Sequence, residues 1–96
     1  MSRFVISPRA RRDLDEIWSY TAKRWGDEQA ETYARDLGAA IEMAASNPER
    51  GRRCDDVRPG YFKISRGVHV VFYRRIPTGS DVVRILHQRM DFTRHS

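Results

Sequence analysis

The amino-acid sequence predicts a two-layer α+β domain, β-α-α-β-β-β, with an antiparallel helical hairpin packed on a mostly antiparallel sheet. Three observations predict it. Apolar residues recur at three- and four-residue spacing from Ala10 to Ala44, the mark of amphipathic helices. The two helical stripes are separated only by Gly26-Asp27, which leaves room for nothing but a tight reversal. After Arg58-Pro59-Gly60 the pattern changes to short β-branched and aromatic runs divided by turn residues. Helices on one face of a sheet bury both apolar surfaces at once.

Each element has its own local cause. Arg3-Phe4-Val5-Ile6 is a short apolar run, read as a strand. Ser7-Pro8 then starts a helix, because serine can accept an orphan amide hydrogen and proline suits the first helical position. Ala10, Leu14, Ile17, Trp18, Thr21 and Trp25 form its stripe, while Arg11, Arg12, Asp13, Asp15, Glu16 and Lys23 fall mostly elsewhere. Trp18 reads as core and Trp25, beside the turn, as partly exposed. Asp27 offers the second N-cap, with Glu28 and Glu31 near the positive end of the helix dipole. Ala30, Tyr33, Ala34, Leu37, Ile41 and Ala44 make a stripe rich in small residues, which allows close helix approach, and Asn47-Pro48 stops it.

Glu49 to Val57 reads as a polar loop. Tyr61 to Ser65 is a strand, Arg66-Gly67 a hairpin turn, Val68 to Arg75 a strand, Pro77 to Ser80 a turn and Val82 to Gln88 the last strand. Met90 to Ser96 reads as a polar tail without periodicity.

A chain of 96 residues makes one domain, 1–96, and buries only about 60–65% of its unfolded surface. A partner covering apolar surface would therefore stabilise it. Hydrophobic residues at 40% and charged residues at 32% exclude a disordered chain. A lone cysteine, Cys54, excludes an internal disulfide. No apolar run nears the roughly 20 residues of a membrane span, and Met1 to Pro8 lacks the apolar core of a signal peptide. These features point to the cytosol. The net charge of +5 is uneven: residues 8–46 carry six basic and eight acidic side chains, and residues 49–96 eleven and five. A basic second half suits RNA, DNA or an acidic protein segment.

Candidate chemistry is sparse. RNA cleavage needs groups to deprotonate a 2′-hydroxyl, steady the phosphate and protonate the leaving oxygen. His69, Tyr73, Arg84 and His87 lie on the last two strands and are the available set. Cys54, His69, His87 and His95 do not stand at metal-ligand spacing, and no glycine-rich phosphate loop is present. Arg50, Arg52, Arg53 and Arg58 offer phosphate contacts, balanced locally by Asp55 and Asp56. No metal and no cofactor is expected.

Taken together the motifs resemble a known family. The run Ser7-Pro8-x-Ala10-x-x-Asp13-Leu14-x-x-Ile17-Trp18-x-Tyr20, with Trp25-Gly26 and Gln29-Ala30-x-x-Tyr33, is similar to the helical hairpin of the ParE toxins. So are Asn47-Pro48-x-x-Gly51, Arg58-Pro59-Gly60-Tyr61, Gly67-x-His69-x-x-Phe72-Tyr73-Arg74 and Val83-x-Ile85-Leu86-His87-Gln88-Arg89-Met90-Asp91. The resemblance covers nearly the whole chain. It implies a RelE/ParE-like fold and the toxic component of a type II toxin–antitoxin system, one that inhibits DNA gyrase without catalysis. The RelE branch of the same fold cleaves messenger RNA on the ribosome, which is the alternative. Phe92 stands where that branch has a catalytic tyrosine in many members.

The resemblance also implies partners. A ParD-like antitoxin would wrap a C-terminal segment around the chain in a two-plus-two or larger complex, and operator DNA would be reached only through that antitoxin. His87, Gln88, Arg89 and Met90 match the segment that carries toxicity. Candidate antitoxin contacts are Trp25, Arg58, Tyr61, Lys63, Tyr73, Arg74 and Arg84, aromatic and basic groups that suit an acidic, apolar-studded segment.

Overall fold

A computed structural model describes residues 3–90 and Phe92. Met1, Ser2, Asp91 and residues 93–96, the latter including His95 and most of the expected tail, lie outside the described residues.

The elements run β1 (Arg3–Ile6), α1 (Pro8–Trp25), α2 (Asp27–Ser46), a 3-10 turn (Pro48–Arg50), β2 (Arg52–Arg53), β3 (Tyr61–Arg66), β4 (His69–Ile76) and β5 (Gly79–His87). The sheet order is β1-β5-β4-β3-β2. The β1–β5 pair is parallel and the other three pairs are antiparallel, so the expected α+β architecture stands. Three local expectations need correction. The loop after α2 is not structureless: it holds the 3-10 turn and the two-residue edge strand β2. The N-cap of α2 is Gly26 rather than Asp27, and no side chain caps that helix. The β3–β4 turn is Gly67-Val68, with Arg66 paired to His69.

The start of α1 is fastened to β5 by more than its cap. The Ser7 hydroxyl accepts the Ala10 N–H (3.1 Å) and donates to the Val83 carbonyl (2.8 Å). The Ser7 N–H donates to the Val82 carbonyl (3.0 Å). Val83 is the residue skipped where the β4–β5 register shifts, Phe72 pairing with Arg84 and Tyr73 with Val82. A bulge leaves backbone groups without ladder partners, and α1 supplies them.

Asp13 completes that junction. Arg84 Nε and Nη2 donate to its two carboxylate oxygens (2.8 and 2.9 Å), and the Ile85 N–H donates to Oδ2 (2.9 Å). Asp13 is buried, which corrects its expected place among the solvent-facing residues of the helix.

The main core lies between the layers. Ala10 of α1, Leu37 and Ile41 of α2, and Val71, Val82 and Ile85 of the sheet pack together. Alanines 30, 40, 44 and 45 of α2 are buried, as its small-residue stripe requires. The buried Ser80 hydroxyl donates to the Ala44 carbonyl (2.8 Å) and ties the end of α2 to the start of β5.

A second cluster sits on the opposite sheet face, where Cys54, Phe72, Leu86 and Phe92 meet. Phe92 is 3% exposed, its ring 4.6 Å from that of Phe72, so at this residue the expected loose tail is anchored. Burial of an aromatic ring outweighs the polar composition around it. The helices cover one face, and the β2–β3 loop with Phe92 covers part of the other.

Two predictions follow from these packings. Asp13→Ala removes acceptors for a buried guanidinium and a buried amide, and should lower unfolding free energy by about 3 kcal/mol in urea titration. A loss under about 1 kcal/mol would mean the carboxylate does not seat α1. Phe92→Ala should cost about 2–4 kcal/mol with little change in m-value; a neutral result would deny the second cluster its role.

Candidate functional site: an apolar groove beside the β4–β5 edge of the hairpin

The helical hairpin ends at Gly26, and its free end overhangs the turn that opens β4. Between them runs a groove of about 1060 Å³. Ile17, Tyr20, Thr21 and Trp25 form the α1 wall, Tyr33 comes from α2, and Val68, His69, Ile85, Leu86, His87 and Met90 complete the sheet side. Tyr20 and Trp25 are each 64% exposed and Met90 50%. Glu16, Arg24 and the Asp13–Arg84 pair bring charge to the groove. The Arg24 guanidinium lies 5.5 Å from the centroid of the Trp25 ring, a distance at which a cation attracts the π face.

Tyr33 organises the sheet side. Its hydroxyl accepts the Val68 N–H (3.2 Å) and lies 3.2 Å from the Arg66 carbonyl and 2.7 Å from His69 Nδ1. Gly67 makes this possible. Its φ of +60° suits the turn, and a side chain there would collide with the Tyr33 ring. His69 pairs across the ladder with His87, their rings meeting edge to face at 5.6 Å. Burial, then the neighbouring His87, pushes the His69 pKa below its usual value.

The groove gathers some of the expected residues and not others. Trp25, Arg84, His87 and Met90 line it together. Gln88 and Arg89 are exposed at its end, in a turn closed by Gln88 N–H to Val68 O (2.8 Å), Met90 N–H to His87 O (2.8 Å) and Arg89 N–H to His87 Nδ1 (3.1 Å). Arg58, Tyr61, Lys63 and Arg74 belong to a separate surface on the β3 side. There Tyr61 packs on Phe92, and Arg74 pairs with Asp81 at 2.9 Å.

Tyr73 requires a correction. It is 0% exposed and offers a partner no surface. Its hydroxyl donates to the Pro48 carbonyl (2.7 Å) and accepts the Gly51 N–H (3.1 Å), holding the 3-10 turn. Any side chain at residue 51 would strike that hydroxyl, which accounts for the glycine in Asn47-Pro48-x-x-Gly51.

Of the candidate nuclease set, His69, Arg84 and His87 line the groove, with Arg84 engaged by Asp13, whereas Tyr73 is in the core. Burial raises the pKa of Tyr33, Tyr73 and Cys54, which favours their protonated forms. Among the described residues no group of three or more His, Cys, Asp or Glu side chains could hold a metal ion, and no helix is long and apolar enough to cross a membrane.

Asp13, Tyr33 and Phe92 are the residues that pattern reading undervalued. Asp13 had a visible signal: it lies three residues after Ala10 and four before Ile17, on the buried stripe itself. The Tyr33 hydroxyl had none, since its partners, two backbone groups and His69 Nδ1, are brought to it by the turn.

The chain is 55% identical to Toxin ParE1 of Mycobacterium tuberculosis over 95 residues, covering 98% of this chain and 97% of that one. It is 45% identical to Toxin ParE1 of Caulobacter vibrioides over 95 residues, covering 99% and 98%. Among solved structures, a chain of the chromosomal ParDE TA system from P. aeruginosa superposes with a TM-score of 0.77 at 19% identity, covering 91% of this chain and 96% of that one. A chain of the toxin-antitoxin complex RelBE2 from Mycobacterium tuberculosis superposes at 0.59 with 23% identity, covering 90% and 96%. The family described as the ParE toxin of type II toxin-antitoxin system, parDE, matches residues 4–92, and this chain belongs to it: it is a ParE-family toxin.

Proposed function

We propose that this toxin arrests growth by gripping DNA gyrase through the corner formed by His87, Gln88, Arg89 and Met90, without catalysis of its own. A ParD-like antitoxin silences it by laying an extended, partly helical segment into the adjoining groove. The observation that carries the reading is the groove itself, which leaves Tyr20, Trp25, Val68 and Met90 exposed in a chain that can bury little surface. An apolar segment that folds as it docks would cover them. Trp25 and Arg84 line the same groove as His87 and Met90, so an occupied groove and a free toxic corner exclude one another. Two further points support a non-catalytic toxin: Arg84 is held by Asp13, and the Tyr33 and Tyr73 hydroxyls are engaged by backbone groups. The two-plus-two assembly belongs to this proposal, because a dimeric antitoxin presents two such segments.

Inducible expression in a bacterium, with and without the antitoxin gene, tests the reading. The expected result is arrest with a DNA-damage response and intact messenger RNA, relieved by the antitoxin. Degraded messages would move the toxin to the ribonuclease branch, with His69 and His87 as its centre. In a second arm, Trp25→Asp should weaken antitoxin binding by about 100-fold; unchanged affinity would remove the groove from the interface.

A further inference from the structure

On the sheet wall of the groove His69 and His87 stand side by side on β4 and β5, near the charged Asp13–Arg84 pair. The His69 ring makes its hydrogen-bond and ring contacts with Tyr33 and His87. Each ring has its Nδ1 occupied from within the fold, by the Tyr33 hydroxyl at 2.7 Å for His69 and the Arg89 N–H at 3.1 Å for His87. Recognition of a ligand therefore falls to the two Nε2 atoms.

The surroundings of His69 favour a ring proton on Nδ1. In that state Nδ1–H donates to the Tyr33 oxygen, Tyr33 O–H donates to the Arg66 carbonyl, and Val68 N–H donates to the same Tyr33 oxygen. All three contacts are then used at once, in the neutral Nδ1–H tautomer and in the protonated ring alike, whereas a tautomer that accepts the Tyr33 proton leaves the Arg66 carbonyl without it. Nε2 is then the atom that gains or loses a proton, and an anion beside it would hold the protonated form.

Among the described residues no carboxylate acts on His69. On α1, Asp13 is engaged by Arg84, and Glu16 and Arg24 lie along the same wall. From α2 come Tyr33 and, near it, Asp36. The influences that set His69 are burial and His87, and both oppose its charge.

We propose that the His69–His87 pair is a carboxylate-binding site, and that the antitoxin segment filling the groove places one Asp or Glu side chain on it. This deepens the antitoxin reading and rests on it. A carboxylate set in an apolar segment matches the groove, because one charge meets the imidazoles while apolar neighbours cover Trp25, Ile17 and Met90. A nucleic-acid phosphate, well solvated and lacking apolar flanks, would leave those side chains bare.

The proposal has a definite sign. His69 is neutral in the free toxin near neutral pH, because its pKa is lowered. A carboxylate raises that pKa, so the complex binds one proton more than its separated parts. Affinity then rises as pH falls from the complex's pKa to the free toxin's, by up to about tenfold per pH unit, and is flat outside that window.

The experiment is an NMR titration of the imidazole resonances of the full chain, alone and in complex with the ParD-like antitoxin. The His69 pKa should move upward by about one pH unit or more on complex formation. In parallel, the affinity of wild-type toxin measured from about pH 8 to about pH 6 should rise, and that rise should vanish in His69→Gln. A His69 pKa that stays or falls further in a complex that does form overturns the carboxylate site and leaves the antitoxin reading intact. Failure to form a complex at any pH overturns both.

Discussion

The Asp13 carboxylate is the constraint on which the two layers depend. It reaches from α1 to a guanidinium and a backbone amide of β5 at the point where the strand is bulged. Burying two charges costs several kcal/mol per ion, and hydrogen bonds to charged groups return about 1.5–3 kcal/mol each. These terms largely offset one another, so the pair is better understood as setting position than as adding stability. A helix slipped by one residue would rotate its side chains by about 100° and lose all three bonds together. Ser7 adds a second fixed point at Val82 and Val83, six residues earlier at the cap of the same helix. With α1 held at two places on β5, its far end must overhang the β4 turn, and the groove is the space left beneath it.

Two tyrosines repeat one device at opposite ends of the sheet. Tyr33 and Tyr73 each place a hydroxyl among backbone groups of a turn, and each requires a glycine where a side chain would collide with it. Burial raises the pKa of both, consistent with hydroxyls that act as neutral donors and acceptors. The consequences differ with depth. Tyr73 holds a turn inside the core and has no surface, whereas Tyr33 holds one at the wall of an open groove and governs a histidine there. Shared residue chemistry does not imply a shared role; accessibility separates them.

Much of this was legible beforehand because it is local. Ser7-Pro8, Asn47-Pro48 and the change of period at Arg58-Pro59-Gly60 act through neighbouring residues, and the elements begin and end close to where these signals stand. What escaped was non-local. Phe92 was hidden because its partners, Phe72 and Cys54, lie 20 and 38 positions earlier in the numbering. Tyr73 looked accessible because a strand exposes alternate residues in principle, and only the arrival of α2 and the 3-10 turn closes that face. The charge pattern named a kind of partner, but not a place. It could not show that Arg74 would be paired with Asp81 or Arg84 with Asp13.

These pairings bear on how a basic chain selects a protein partner. Arginines already bound to carboxylates are partly neutralised and have fewer of their five donors left for a partner. Long-range charge raises the rate of encounter, while buried contacts set how long a complex lasts. On the proposed reading the two tasks fall to different surfaces. The arginine-rich second half would draw in an acidic partner, and the groove with Trp25, Tyr20 and Met90 would hold it. Such a division would suit a small toxin with two opposed partners: attraction could be shared between them, and discrimination would then arise at the groove, where apolar shape and one imidazole pair would decide which segment stays.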